Sequence, residues 1–466
     1  MVADDPIKHV VVLMLENRSF DQILGGLKAV YPQLEGVDPS NPRSNPDLAA
    51  SPPIFQAKTQ VRQAAQDPPH ELKDVLSQIN GPAGPMSGFV TDYARSFPQT
   101  TTAQRAEVMD YYPLGFFPAL HTLAENFVVC DHWHASVPAS TWCNRLYVHS
   151  GTSLGRVKMP SGQLDGTIFN IHLYDQETVY DRLQQAGRSW KIYYGDVPQS
   201  LVLVHQWSHP LNYRHMSEFY SDARNAASFP AYVFIEPTYF GTEENDGHPA
   251  TDVLRADALV AEIYNALRAD DALWKSLLFV VLFDEHGGYY DHIYPPSAVP
   301  PDNHTEEYTF TQLGVRVPAL LISPWLGPGV VATQFDHTSL LKYLTKKWSL
   351  GQLANRTAAA KSFADSWHLL TSPRADTPQT LPVTPTVAAA PRAAGAPAPE
   401  LHAYQQALMA LTRELERESA AREPQKPAAA MEPRGLQPFE SPEAAGALAR
   451  DRVERFLQSR RRQQQK

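Results

Sequence analysis

Cysteine is nearly absent. Cys130 and Cys143 are the two in 466 residues, enough for one disulfide at most and compatible with a reducing compartment. Long apolar runs are missing too: no stretch approaches the roughly 20 residues that a membrane-spanning helix needs, and Val10 to Leu15 is too short, and too soon followed by polar residues, for the hydrophobic part of a signal peptide. Positive charge is not in excess. The 40 Lys and Arg face 50 Asp and Glu, a net charge of −10, which argues against a nucleic-acid partner held by phosphate contacts. Hydrophobic residues are 43% and charged residues 19%, which excludes a disordered, collagen-like or coiled-coil chain. As written, the chain is expected to be cytoplasmic, with secretion or export by an unseen route as the alternative. There is no internal repeat.

Proline, by contrast, is abundant, at 40 residues against a norm of about 5%. Seven prolines and eight alanines lie between Pro373 and Pro399 with no apolar periodicity, so residues 371–399 are expected to form a semi-extended linker. It would join a main domain, 1–370, to a helical tail, 400–466. In the tail, Leu401, Tyr404, Leu408, Leu411 and Leu415 repeat at helical spacing, and Ser441-Pro442 opens a second helix carrying Leu448, Val453, Phe456 and Leu457. From Arg450 to Lys466 there are seven positive and two negative charges. That pattern predicts a solvated basic helix end, with peripheral contact to an anionic membrane or a partner as the alternative.

Within 1–370, short apolar runs rich in β-branched and aromatic residues alternate with helical patterns. Ile7 to Leu15, Phe127 to Cys130, Trp190 to Tyr194, Ala231 to Ile235, Leu277 to Phe283 and Val317 to Ile322 have the composition of strands buried on both faces. Val253 to Leu267 and Thr338 to Trp348 are helical. The expected fold is an α/β sandwich around a largely parallel sheet, whose ligands gather beyond the carboxyl ends of the strands.

Two strand ends carry chemistry. Glu16-Asn17 follows the first run, and Asp284-Glu285-His286-Gly287-Gly288 follows Leu277 to Phe283. If these strands are sheet neighbours, three carboxylates and an amide converge, which is repulsive unless a cation sits among them. Oxygen donors favour Ca²⁺, Mg²⁺ or Mn²⁺, and nearby histidines leave Zn²⁺ or Fe open. The plain alternative is two polar strand ends bonded to loop amides. A third cluster, Asp131 to Arg145, sets Ser140 and Thr141 before a helical pattern. A hydroxyl there has backbone N–H groups and the positive helix end beside it, which suits a phosphate and its attacking oxygen, whereas the commoner use is a helix cap.

Six ordered blocks then make a resemblance. HVVVLMLENRSFDQILG, DPPHELKDVLSQINGPAGPMSGFV, the segment from Ser136 to Thr152, DGHPATDVLRADALVAEIYNAL, FDEHGGYYDHIYPP and GVRVPALLISPWLGPGVV with FDHTSLLKYL resemble the phosphoesterase family of bacterial phospholipase C enzymes and acid phosphatases. The resemblance spans about Ile7 to Trp348. It implies an alkaline-phosphatase-like α/β architecture and a divalent metal held by Glu16, Asn17, Asp284 and Glu285, with Thr141 as both ligand and nucleophile and Ser140 as runner-up. It also implies that Asn144 binds phosphoryl oxygens, that His70 and His248 contact phosphate or leaving group, and that His209 and Asp336 line the substrate site. Two turns depart from the family pattern, Ala139-Ser140-Thr141 for Gly-Pro-Thr and Cys143-Asn144-Arg145 for Pro-Asn-Arg. The expected activity is phospholipase C cleavage of a phospholipid phosphodiester through a phosphothreonine. The alternatives are a broad acid phosphatase acting on phosphate monoesters and a non-catalytic lipid- or anion-binding protein. Neither metal identity nor oligomeric state is legible.

Overall fold

The computed structural model describes residues 5–49, 51–160, 171–249, 251–385, 400–421 and 441–464. Its centre is an eight-stranded sheet. In chain order the strands are β1 (His9–Leu15), β2 (Val128–Cys130), β3 (Trp190–Tyr194), β4 (Tyr213–His215), β5 (Tyr232–Glu236), β6 (Leu277–Phe283), β7 (Ala319–Ile322) and β8 (Gly329–Val331). Across the sheet they run β8-β2-β7-β6-β1-β5-β3-β4. Only β7 is antiparallel to its neighbours, β6 and β2. The two central strands are apolar at nearly every position: Val10 to Leu15 and all of β6 are buried, as a sheet covered on both faces requires.

The helices that matter for the site are α1 (Pro118–Asn126), α2 (Thr141–Ser150), α3 (Leu254–Arg268), α4 (His337–Trp348), α5 (Ala403–Ala421) and α6 (Pro442–Gln464). Asp257 of α3 caps α1 by accepting from the Ala119 and Leu120 N–H groups at 3.0 and 2.8 Å. The mixed α/β class and the predominantly parallel sheet agree with the sequence. The short strands β4 and β8, three residues each, were not legible there. Cys130 and Cys143 are buried, free thiols. Among the described residues no helix is long and apolar enough to cross a membrane.

The tail differs from the expected solvated helix. Tyr404, Leu408, Leu411 and Leu415 of α5, and Val453, Phe456 and Leu457 of α6, are buried in the same core as the sheet. Its basic end is docked: the Arg460 guanidinium lies 4.8 Å from the Trp207 ring, and Arg461 donates to the carbonyls of Pro210 and Tyr213. An apolar stripe on each helix drives this, and the long arginine stems add to the covered surface. Of the proline-rich stretch, the described part is anchored at Leu381, which is buried and exchanges two hydrogen bonds with the Asn265 side chain. Residues 386–399 are outside the described set.

Candidate active site

β1 and β6 pair in parallel with Leu15 opposite Phe283, so the two acidic strand ends leave the sheet side by side. Asn17 N–H donates to Asp284 Oδ1 at 3.2 Å. Asn17 itself is left-handed, with φ 59°, a conformation asparagine tolerates better than most side chains. The turn after Glu285 closes on it because Gly287 has φ 63° and no side chain; a Cβ there would stand 2.1 Å from the Asn17 carbonyl.

Thr141 begins α2, and its Oγ1 donates to Asn17 Oδ1 at 3.0 Å. Ser140, at the cap position, turns instead to Glu71 Oε2 at 3.3 Å. Thr141 is therefore the hydroxyl that faces the acidic cluster. One turn along α2, the fully buried Arg145 sits between carboxylates, with Nη2 3.1 Å from Glu16 Oε1 and Nε 3.1 Å from Asp284 Oδ2. The rings of Tyr239 and of Tyr404, from the tail, flank its guanidinium at 5.6 and 5.8 Å. Burial, opposed by Arg145, pushes the Asp284 carboxyl up to about 6 and raises that of Glu16 well above the ordinary range, with Asp246 and Asp284 adding repulsion.

Histidines line one side of this cluster. His70 Nε2 lies 3.5 Å from Asn17 Nδ2 and 3.8 Å from Glu285 Oε1, while its Nδ1 is 2.7 Å from the Pro68 carbonyl. Burial lowers its pKa, but Glu285, Asp67 and Glu71 outweigh that and raise it to about 9. Asp67 links His70 Nδ1, at 3.9 Å, to His248 Nε2, at 3.3 Å. The His248 ring in turn stacks on His402 with centroids 3.8 Å apart. His337 holds the Asp284 carbonyl through Nε2 at 2.6 Å.

Three expected site residues stand elsewhere. The Asn144 amide donates to the carbonyls of Val137, Ala139 and Ser140, and its oxygen accepts from Val137 N–H. These bonds tie it to the loop before Thr141. His209 packs against Trp190, the first residue of β3, with centroids 5.7 Å apart, at the sheet edge opposite the cluster. Asp336 caps α4, accepting from Thr338 N–H at 3.1 Å and from Ser136 Oγ at 2.9 Å, which starts the helix that aims His337. Arg145, Asp67, Glu244 and His402 were not singled out. Arg145 and Asp67 are themselves members of quoted motifs, Asn-Arg and DPPH, and were within reach. His402 lies beyond the proline-rich stretch, where no local pattern marks it.

The donors fit a hard divalent cation. Glu16 Oε2 and Glu285 Oε1 are buried without a hydrogen-bond partner, and these carboxylates, the Asn17 amide oxygen and the Thr141 hydroxyl are donors of the kind that such ions take, while Asp284 already accepts from the Asn17 and Glu285 N–H groups and from Arg145.

A buried hydroxyl at a helix start, facing carboxylates at the open end of a parallel sheet and flanked by imidazoles, suits the cleavage of phosphoric esters. Residues 7–351 match the Phosphoesterase family, and the chain belongs to it; it is a phosphoric ester hydrolase. It is 37% identical to non-specific phospholipase C3 of Arabidopsis thaliana over 82% of this chain and 77% of that protein. It is 28% identical to phospholipase C A of Mycobacterium tuberculosis over 76% and 74%, so plant and bacterial proteins both figure among its relatives. A Vibrio parahaemolyticus protein of the alkaline phosphatase superfamily aligns over 73% of this chain and 77% of its own at a TM-score of 0.34 and 12% identity.

Proposed function

We propose that this hydrolase is a divalent-cation-dependent phospholipase C that cleaves the glycerol side of a phospholipid phosphodiester through a phosphothreonine on Thr141. The observation that carries this is the 3.0 Å contact between Thr141 Oγ1 and Asn17 Oδ1 at the edge of the carboxylate cluster. The names of the relatives support the lipid substrate. Glu16, Asn17, Asp284 and Glu285, with the Thr141 hydroxyl, would hold the cation, which when bound lowers the pKa of the hydroxyl and offsets phosphoryl charge.

Thr141 Oγ attacks phosphorus and gives up its proton to water; the Oγ–P bond forms as the bond to the diacylglycerol oxygen breaks. His70, whose Nε2 faces Asn17 and Glu285, or else His248, would protonate that leaving oxygen. The resulting neutral imidazole takes a proton from water as the water oxygen attacks the phosphothreonine. Cleavage of the Oγ–P bond then releases the phosphorylated head group, and the Thr141 oxygen regains from water the proton it gave up, while the imidazole keeps the one it took. Asn144 keeps the Val137–Ser140 loop closed behind the nucleophile.

The test is turnover of phosphatidylcholine and of an aryl phosphate by the parent chain, Thr141→Ala and Thr141→Ser. Diacylglycerol release by the parent, lost in the alanine variant and partly kept in the serine variant, is expected. Preference for the aryl phosphate would favour the phosphatase alternative, and unchanged turnover in Thr141→Ala would refute the nucleophile.

A further inference from the structure

Two imidazoles from distant parts of the chain lie face to face beside the carboxylate cluster. The rings of His248 and His402 have centroids 3.8 Å apart and planes 15° from parallel. Both ring nitrogens of His402 are buried and make no hydrogen bond. An imidazole that is not held through its edge is held through its face, and burial, by lowering its pKa to about 4, keeps that face neutral.

The tail sets the His402 ring in place. Gln405 accepts from the His402 N–H at 3.3 Å through Oε1, and its Nε2 donates to the Tyr239 carbonyl at 2.7 Å and to Glu244 Oε2 at 3.1 Å. The residue before α5 is thereby tied to the loop that follows β5. His248 is anchored from the other side. Its N–H donates to Asp246 Oδ1 at 3.0 Å, and the Asp246 carbonyl accepts from Glu16 N–H at 2.8 Å, so its backbone runs beside the end of β1. Its ring, however, is engaged at one nitrogen: Asp67 lies 3.3 Å from Nε2, whereas Nδ1 makes no hydrogen bond. One contact at the edge leaves the ring free to turn about its Cβ–Cγ bond unless something covers its face. His402 does so. The same Asp67 stands 3.9 Å from His70 Nδ1, so a shift of the His248 ring would pass to the other site histidine.

We propose that His402 is a positioning residue for phosphoric ester cleavage: by stacking on His248 it holds that ring, and through Asp67 the His70 ring, at the reacting group. The proposal rests on the reading above in which His70 or His248 serves as the acid, and it holds whichever phosphoric ester is cleaved. His402 lies outside residues 7–351, so a segment beyond the family match completes the site.

The experiment measures kcat and KM of the full chain on phosphatidylcholine and on an aryl phosphate for His402→Ala, His402→Leu, His402→Phe, His248→Ala and the double variant His248→Ala/His402→Ala, with a thermal melt of each. His402→Ala should lower kcat roughly 10–100-fold and leave KM within about 3-fold of the parent. His402→Leu fills the space without a planar face and should lose kcat likewise, which keeps the test decisive if the alanine variant folds poorly. His402→Phe restores the stacked face and should return kcat to within about 3-fold of the parent. In the His248→Ala background, removing His402 should cost nothing further. Parental kcat in His402→Ala, equal losses in the leucine and phenylalanine variants, or losses that multiply in the double variant would each overturn the proposal, the last because His402 would then act through something other than His248. Parental turnover in His248→Ala would overturn it too, since His402 would have nothing to hold. The nucleophile is judged separately, by Thr141→Ala.

Discussion

Replacing Arg145 with methionine isolates the charge balance at the centre of the molecule. The guanidinium is fully buried, stands 3.1 Å from both Glu16 and Asp284, donates to the Met14 carbonyl at 3.3 Å and is flanked by Tyr239 and Tyr404. Methionine keeps much of the volume but leaves two carboxylates facing each other without their cation. Breaking a buried pair by removing one partner costs about 3–5 kcal/mol, and the lost ring contacts add about 1 kcal/mol. The chelator-treated variant should therefore unfold in urea with a stability lower by about 4–6 kcal/mol, the sum of those two figures. Adding Glu16→Gln removes one of the stranded charges, so the double variant should recover about 1–3 kcal/mol relative to additivity. A loss below about 1 kcal/mol, or single effects that add to within about 0.5 kcal/mol, would refute the claim that Arg145 offsets the charge of this cluster.

Gly287→Ala places a Cβ against the Asn17 carbonyl at a left-handed position; turnover should fall by as much as about 100-fold as the site is displaced, and parental turnover would refute that. Burial lowers the pKa values of His121, His134 and His149 to about 4, 3 and 3. Their contribution is complete above about pH 6.5 and is lost as pH falls towards those values, because the unfolded chain takes up protons first. Each histidine alone should lower stability by about 1.4 kcal/mol per pH unit between pH 6.5 and 4, opposed by buried carboxyls such as Asp284 and Asp246, raised to about 6 and 8. The check is therefore the imidazole NMR signals of the folded chain, and titration of these three rings near pH 6.5, about the ordinary value, would refute it. Leu408→Ala empties a fully buried position in α5 and should cost about 2–5 kcal/mol in urea unfolding; a loss under 0.5 kcal/mol would show the tail to be loosely attached.

Much of the central sheet was legible because its strands are locally self-evident. Leu277 to Phe283 is apolar throughout, so both its limits and its burial follow from composition, and Trp190 to Tyr194 is bounded the same way. The edge strands Tyr213–His215 and Gly329–Val331 carry no such signal; their neighbours make them strands. Side-chain roles divided similarly. Glu16, Asn17, Asp284, Glu285 and Thr141 sit in motifs at strand and helix ends, and register alone was needed to gather them. For Asn144, Asp336 and His209 residue type did not say where a side chain spends its hydrogen bonds: Asn144 holds a loop, Asp336 starts the helix that carries His337, and His209 packs on Trp190 at the start of β3.

The amino-acid order by itself fixed the α/β class, the family and the residues that bring oxygen donors and a hydroxyl to strand ends, since each is written within a few consecutive positions. Folding alone decided that Arg145 would sit between two carboxylates and that the tail would press Tyr404 and His402 into the same neighbourhood. Those contacts join residues more than a hundred positions apart, and nothing in a local pattern records which distant apolar stripe will bury which face.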